Sequence, residues 1–165
     1  MWPKSSGKGL RRRRRTRIVV LYASKDWRLM ELVVSQLRAL GPRFSVWVYQ
    51  DSEAGAEWEL DLFRRIDEAH VVLLLITSDF LNSPFIMKRE VPCVLARRRR
   101  GEVHLVPIIG KPCPWRAHRW LARLQVRPKN GTPLLKPARK CDQEERMAAI
   151  AMEIRGVVEG RRALV

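Results

Sequence analysis

Cysteine and glycine are scarce in this sequence, and neither residue forms a recognisable motif. The three cysteines, Cys93, Cys113 and Cys141, are widely spaced and include no C-x-x-C pair. A disulfide framework and a zinc site are therefore both unsupported. The nine glycines form neither G-x-G-x-x-G nor G-x-x-x-x-G-K-[ST], so the sequence gives no support for a dinucleotide-type Rossmann loop or a P-loop. Hydride transfer and ATP hydrolysis are thus not indicated.

Long apolar runs and metal-ligand spacings are also missing. The longest apolar runs, such as Val71 to Ile76, are far shorter than the roughly 20 residues of a membrane span. The apolar stretch after the basic start is too short for a signal peptide, and no small-residue cleavage site follows it. His70, His104 and His118 lack the spacing of metal ligands. We therefore expect a soluble protein of the reducing cytoplasm, with no membrane contact, no metal and no cofactor.

Acidic residues are outnumbered, and part of the imbalance is local. The formal net charge is +16, and the first 16 residues hold Lys4, Lys8 and Arg11–Arg15 without any acid. Because five adjacent arginines repel one another, residues 1–16 are predicted to form a basic disordered arm. Such an arm attracts any polyanion in a salt-dependent way without specifying one. A solvated arm with no dedicated partner is the alternative.

Strand-like and helix-like segments alternate after the arm. This alternation is typical of a mostly parallel sheet with helices on both faces. Strands are predicted at Arg17–Tyr22, Phe44–Tyr49, Val71–Ile76 and Val103–Ile109, and helices at Asp26–Leu40, about Trp58–Ala69, about Pro84–Arg97 and Asp142–Glu159. The fold prediction is one three-layer, flavodoxin-like α/β domain of about five strands over residues 17–160, followed by a tail at 161–165.

Response-regulator receivers share this topology but require other residues at the ends of their strands. They need clustered acids after the first strand and a phosphoacceptor aspartate that ends the third. Here the first strand is followed by Ala23-Ser24-Lys25, and the third ends in Ile76-Thr77-Ser78. A receiver is therefore not supported.

Three segments with their own patterns follow one another along the chain. Val19–Asp26 is a strand that enters a polar turn and an aspartate, and Val46–Trp58 is a strand followed by a polar loop and a helix start. Thr77–Pro92 leads into a helix in which Phe85 precedes Glu90 by five residues. In order and spacing these segments resemble box 1, the BB loop with the start of helix B, and the helix C region of bacterial TIR (Toll/interleukin-1 receptor) domains. Similar late segments follow at Val106–Ile109, Lys111–Trp115 and Leu124–Pro133.

The resemblance implies a chemistry centred on Glu90. Many TIR domains of this kind cleave NAD between nicotinamide and ribose with one glutamate in helix C. One carboxylate is chemically sufficient because nicotinamide leaves as a neutral base from a cationic precursor, without the general acid that other glycosides need. The carboxylate then stabilises the developing positive charge, and Phe85 offers a stacking surface for a base. A solvated helix residue beside Lys88 and Arg89 is the other interpretation of Glu90.

Further site residues are predicted from position and from the resemblance. Tyr22 and Ser24 follow the first strand, where open α/β sheets bind ligands, although a core residue and a turn former are the alternatives. In the BB-like loop, Asp51 is assigned to the substrate. The interface with a neighbouring TIR domain is assigned to Ser52, Glu53, Ala54 and Gly55. Family members commonly need such a neighbour to complete the site, although polar loop residues are often only solvated.

Three tryptophans and the two departures from the family pattern that bear on activity complete the prediction. Trp58, Trp115 and Trp120 are interpreted as packing residues. Leu21 stands where serine is usual, and Ala54 stands where proline is common, so the loop is less rigid than proline would make it. Both changes predict weaker turnover with an intact fold.

The leading hypothesis is an NAD glycohydrolase, or a cyclising relative that makes an ADP-ribose signal, in bacterial immunity or stress signalling. Its expected partners are NAD as substrate and other TIR domains. The alternative is a non-enzymatic TIR-TIR interaction module in signal transduction.

Overall fold

The apolar runs of the sequence form one parallel sheet. The computed structural model describes residues 14–49, 56–136 and 139–163. In these ranges the strands are β1 (Thr16–Leu21), β2 (Phe44–Val48), β3 (Val71–Ile76) and β4 (His104–Ile109), in the order β2-β1-β3-β4. The helices are α1 (Trp27–Arg38), α2 (Ala56–Glu68), α3 (Ser78–Asn82), α4 (Val91–Arg99), α5 (Arg119–Ala122) and α6 (Lys140–Ala163). Single 3-10 turns lie at Ser24–Asp26 and Trp115–Ala117, and a π turn lies at Ile86–Glu90.

The two central strands, β1 and β3, are buried on both faces. Their side chains alternate between two hydrophobic cores, because successive residues of a strand point to opposite faces. Val19 and Leu74 pack with α2, α3 and α4 in the first core, whereas Val20 and Leu73 pack with α1 and α6 in the second. Parallel strands of this kind require helices on both faces. The predicted three-layer α/β fold is therefore confirmed.

The sheet differs from the prediction in its number of strands. About five strands were expected, but the described residues form four, and a fifth is reduced to a single bridge between Ile108 and Arg127. Arg127 donates its N–H to the Pro107 carbonyl oxygen and accepts from the Ile109 N–H, both at 2.8 Å. The hydrogen-bond ladder between β4 and the Arg127 segment stops there, because Pro107 has no N–H to donate to a carbonyl oxygen of that segment. On the other side, the Leu134 N–H already occupies the carbonyl oxygen of Ile109.

Two side-chain hydroxyl groups cap the helical segments that follow β3. The predicted third helix, at about Pro84–Arg97, is present with the π turn inside it, and the short helix α3 precedes it as a separate element. Thr77 caps α3 through its hydroxyl, which accepts from the Phe80 N–H at 3.1 Å. The Ser83 hydroxyl then accepts from the Ile86 N–H at 3.4 Å where the helical chain resumes.

β1 begins at Thr16 and α6 ends at Ala163, one and three residues beyond the predicted domain limits.

Some predicted features lie outside the described residues. These are the BB-like loop at Asp51–Gly55 and most of the arginine arm, including Arg11–Arg13. Within the described ranges, no helix is long and apolar enough to cross a membrane.

Candidate functional site

A cleft of about 540 Å³ opens at the carboxyl ends of β1, β2 and β3. The chain leaves β1 toward β2 on one side, whereas β3 pairs with β1 on the other. Ligands of open α/β sheets bind at such a change of direction, and the volume lies in the usual range of ligand pockets. The cleft is lined by Tyr22, Ala23, Ser24, Lys25, Tyr49, Trp58, Asp79, Asn82, Ser83, Phe85, Ile86 and Glu90.

Three aromatic rings form one wall of the cleft. Tyr49 follows β2, Trp58 lies in the first turns of α2, and their rings are stacked with centroids 4.8 Å apart. The Phe85 ring lies 5.2 Å from Trp58 in a tilted arrangement. Aromatic rings at these distances stabilise one another and offer a flat apolar surface. The wall suits a planar ring of a ligand.

The end of β1 forms the floor and part of the rim. The Tyr22 hydroxyl donates to the Tyr49 carbonyl oxygen at 2.8 Å, which joins the chain after β1 to the chain after β2. Ser24 is exposed, and the neighbouring Lys25 lies 3.6 Å from Asp79 across the rim. Because both partners are exposed, this ion pair adds little to stability.

A π turn positions Glu90. The Val91 N–H bonds to the Ile86 carbonyl oxygen, five residues back, and Pro92 follows without an N–H of its own. A proline in this position interrupts the regular helical ladder, and a wider turn accommodates the interruption. Such single π turns are frequent at functional sites. Here the turn carries both Ile86 and Glu90 into the lining of the cleft.

The Glu90 side chain is buried without a charged partner. It is only 5% exposed, and its Oε2 atom has no hydrogen-bond partner within the described residues. Arg89 is adjacent in sequence, but its guanidinium pairs with Glu59 and lies over the Phe63 and Phe85 rings. Burial alone therefore raises the pKa of Glu90 from 4.5 to about 7.

The protonation state of the Glu90 carboxyl group depends on what enters the cleft. Near neutral pH both its protonated and its ionised forms are populated, and perturbed carboxyl groups of this kind are concentrated at functional sites. An entering hydroxyl or a cation would satisfy the unpaired oxygen and favour the carboxylate form. The cleft thus combines one acceptor of tunable charge with a flat aromatic wall.

Behind the cleft, a buried acid connects three segments of the chain. The carboxylate of Asp26, in the 3-10 turn after β1, accepts from the Thr77 hydroxyl and pairs with Lys111, which follows β4. Thr77 also caps α3. The network fixes the end of β1 against the start of the segment that carries Glu90. Asp26 therefore supports the cleft without lining it.

The structure brings four of the predicted site residues together. Tyr22, Ser24, Phe85 and Glu90 all line the cleft, whereas Asp51, Ser52, Glu53, Ala54 and Gly55 lie outside the described residues. The role of Glu90 in catalysis stays a prediction.

Two aromatic residues of the cleft wall were not assigned to the site from the sequence. Trp58 was interpreted as a packing residue, yet it packs and lines the cleft at the same time. Tyr49 follows β2 as Tyr22 follows β1, so the rule that singled out Tyr22 also applies to Tyr49.

Other residues singled out in the sequence lie elsewhere. Leu21 is 2% exposed and belongs to the core, so its side chain does not form the cleft wall. Trp115 and Trp120 pack in and against the first core, as expected for structural residues. In the described ranges, no group of three or more His, Cys, Asp or Glu side chains is arranged to hold a metal ion.

Comparison with known proteins agrees with this architecture. Residues 18–135 match the family model of the TIR domain. The chain is also 28% identical over 117 residues to the uncharacterized protein y4lF of Sinorhizobium fredii (strain NBRC 101917 / NGR234). That alignment covers 68% of this chain and 35% of the relative, so the chain spans about a third of the relative's length. Because the family match covers well over half of the chain, this protein belongs to the TIR domain family, whose members are signalling modules and include NAD-cleaving enzymes.

Proposed function

We propose that this TIR domain cleaves NAD at the bond between nicotinamide and ribose, as a signalling enzyme of bacterial immunity or stress responses. The observation that carries the proposal is the Glu90 carboxyl group, which lines the cleft with an unpaired, buried oxygen. A buried acid without a partner reduces stability. Its presence is explained if a ligand supplies the missing hydrogen bond.

The residues of the cleft have complementary roles in this reaction. One planar ring of NAD stacks on the wall of Tyr49, Trp58 and Phe85. The Glu90 carboxylate accepts hydrogen bonds from the ribose hydroxyls beside the reacting carbon. As the carbon–nitrogen bond breaks, its electron pair stays on the nicotinamide nitrogen, and the positive charge moves to the ribose. Glu90 stabilises that charge.

The product depends on which nucleophile then bonds to the ribose carbon. Water gives ADP-ribose and releases one proton, whereas an atom of the same ADP-ribose unit gives a cyclised product. In both reactions nicotinamide leaves as a neutral molecule, so no second acid is required. Nicotinamide release therefore measures either reaction.

The raised pKa of Glu90 fits an electrostatic role. In the empty cleft the protonated form is stabilised by burial, with a pKa of about 7. The nicotinamide ring of NAD is positively charged, and an opposite charge nearby lowers the pKa of a carboxyl group. Substrate binding would therefore ionise Glu90 where a carboxylate is needed.

Self-association belongs to the same proposal. The BB-like loop immediately precedes α2, whose first turns carry Trp58 into the cleft wall. A neighbouring TIR domain that docks on Ser52, Glu53, Ala54 and Gly55 would therefore act next to the cleft. We expect efficient cleavage only when the domains are assembled.

The test measures nicotinamide release from NAD by purified protein, with and without a crowding agent that promotes assembly. Glu90→Gln should lower the release at least a hundredfold, because the charge of Glu90 is lost while its shape is kept. Glu145→Gln is the matched control, since Glu145 is an exposed acid on α6. Equal release from Glu90→Gln and from the original protein would contradict the proposal. No release under any condition would favour the non-enzymatic TIR-TIR module.

A further inference from the structure

Arginines gather at the edge of the sheet opposite to the cleft. In a parallel sheet all strands begin at one edge, and here Thr16 pairs with Phe44 while Val71 pairs with Ile18 and His104. The segments that begin or precede these strands carry exposed arginines. They are Arg14, Arg15, Arg17, Arg43, Arg98, Arg99 and Arg100, which we call the basic edge.

Two of the acids near this edge, Asp67 and Glu102, are already occupied. Arg97, which is buried, lies 3.8 Å from Asp67 and 3.4 Å from Glu102. Arg100 is the second partner of Glu102, at 2.6 Å. Both acids are therefore committed to arginines of the same surface, and they offer little compensation to the others.

Four arginines of the basic edge are left uncompensated. Arg15, Arg43, Arg98 and Arg99 are exposed and form no ion pair within the part of the chain that the structure describes. They come from both ends of the sheet, since Arg43 precedes β2 and Arg98 and Arg99 end α4 just before β4. Three gaps between neighbouring strands make this edge roughly 15 Å wide.

We propose that the basic edge binds the phosphodiester backbone of a nucleic acid. Exposed guanidinium groups bind phosphate in a planar, two-pronged geometry that lysine does not reproduce. A duplex carries about nine phosphate charges over roughly 15 Å of its axis, so several arginines engage one ligand at the same time. In the sequence Arg11–Arg13 directly precede Arg14.

A nucleic acid fits this surface better than a membrane does. Proteins that lie on membranes combine basic residues with an apolar face that enters the headgroup region. The large exposed apolar residues in the described chain are Trp27, Leu60 and Met152. None of them lies in the segments that precede the strands. The basic edge thus offers charge without an apolar anchor.

Binding at the basic edge would leave the cleft open. The cleft lies at the carboxyl ends of the strands and the arginines lie at their amino ends. A bound polymer would therefore gather several copies of the domain without covering Glu90. This proposal is independent of NAD cleavage.

The test compares two variants of equal charge by fluorescence anisotropy with labelled single-stranded DNA, duplex DNA and RNA. Arg43→Gln/Arg98→Gln/Arg99→Gln alters the basic edge. Lys129→Gln/Lys136→Gln/Lys140→Gln is the control. These three lysines are exposed, and in the chain they follow Arg127, the bridge partner at the carboxyl end of β4. Each variant is checked for folding by circular dichroism.

For the original chain, the logarithm of the binding constant should fall linearly with the logarithm of the salt concentration between about 50 and about 200 mM. The edge variant should bind about tenfold or more weakly, with a slope reduced by about two to three, one for each lost phosphate contact. The control should change less than about threefold, and Arg43→Lys/Arg98→Lys/Arg99→Lys should restore most of the slope.

Three results would overturn the proposal. The first is no salt-dependent binding to any of the polymers by the original chain. The second is an equal loss of affinity in the edge variant and the control, because net charge alone would then explain the binding. The third is unchanged nucleic-acid binding by the edge variant. If that variant also loses binding to vesicles of anionic lipid, measured in parallel, the basic edge is assigned to a membrane.

Discussion

The ammonium group of Lys111 forms an ion pair with the carboxylate of Asp26, whose side chain is completely buried behind the cleft. Removal of one partner from such a pair leaves a buried charge without compensation. Lys111→Met should therefore destabilise the domain by about 2–3 kcal/mol, somewhat less than for a fully buried pair because Lys111 is 42% exposed. Urea unfolding measures this change. Lys136→Met, at an exposed position, should have almost no effect.

A double variant tests the same network. In Asp26→Asn/Lys111→Met both charges are absent, so the penalty of an isolated carboxylate no longer applies. The combined destabilisation should be smaller than the sum of the two single effects. Strict additivity would show that Asp26 and Lys111 do not act as a pair.

Two glycines with almost the same backbone conformation differ in their surroundings. Gly101 has a φ of +72° and open space around its missing side chain, whereas Gly131 has a φ of +73° and a Cβ there would lie 2.8 Å from Trp115. Gly101→Ala should cost about 1 kcal/mol for the left-handed backbone alone. Gly131→Ala should cost at least about 1 kcal/mol more because of the clash. Equal unfolding free energies for both variants would contradict the packing of Trp115.

Glu90 should make the stability of the domain depend on pH. Its pKa is about 7 in the folded chain against an ordinary value of 4.5, so the folded state binds the proton more tightly. Ionisation of Glu90 therefore costs no folding free energy below about pH 4.5. The destabilisation grows as pH rises and is complete above about pH 7. A shift of this size corresponds to roughly 3 kcal/mol.

Glu90→Gln removes that cost. The variant should equal the original protein in unfolding free energy near pH 4.5 and exceed it by up to about 3 kcal/mol at pH 8. Denaturant titrations at both pH values measure the difference. A gain that is the same at both values would show that Glu90 does not ionise in the folded domain between them.

Trp58 should contribute to substrate binding if the proposed reaction is correct. Its ring stacks on Tyr49 and contacts Phe85 in the cleft wall. Loss of a stacking partner is worth about 0.5–1.5 kcal/mol, so Trp58→Ala should raise the KM for NAD about two- to tenfold and change kcat less. Trp27→Ala, at a tryptophan that is 47% exposed, is the control. The interpretation fails if both variants have the same KM.

The strands could be predicted from the sequence wherever burial determines composition. Val71–Ile76 is entirely apolar because β3 is covered on both faces, and its ends were predicted correctly. The reduced fifth strand could not be predicted in this way. It depends on which side of β4 the missing N–H of Pro107 faces, and this is decided by the pairing of β4 with β3.

The site was less accessible to sequence reasoning than the fold. Glu90 follows Lys88 and Arg89, as exposed helix residues commonly do, and only the family resemblance pointed to it. One local signal was present, since Ile86, Glu90 and Val94 are spaced by four residues and all three are buried. The aromatic wall could not be assembled in advance, because Tyr49, Trp58 and Phe85 come from three separate segments.

The pH dependence of nicotinamide release tests the role of Glu90 most directly. With assembled protein and NAD below its KM, kcat/KM should rise from pH 5 to pH 8 with an apparent pKa near 7, the value of Glu90 in the empty cleft. Glu90→Gln should show only background release at every pH. The account is contradicted if Glu90→Gln retains the rate and the pH profile of the original chain.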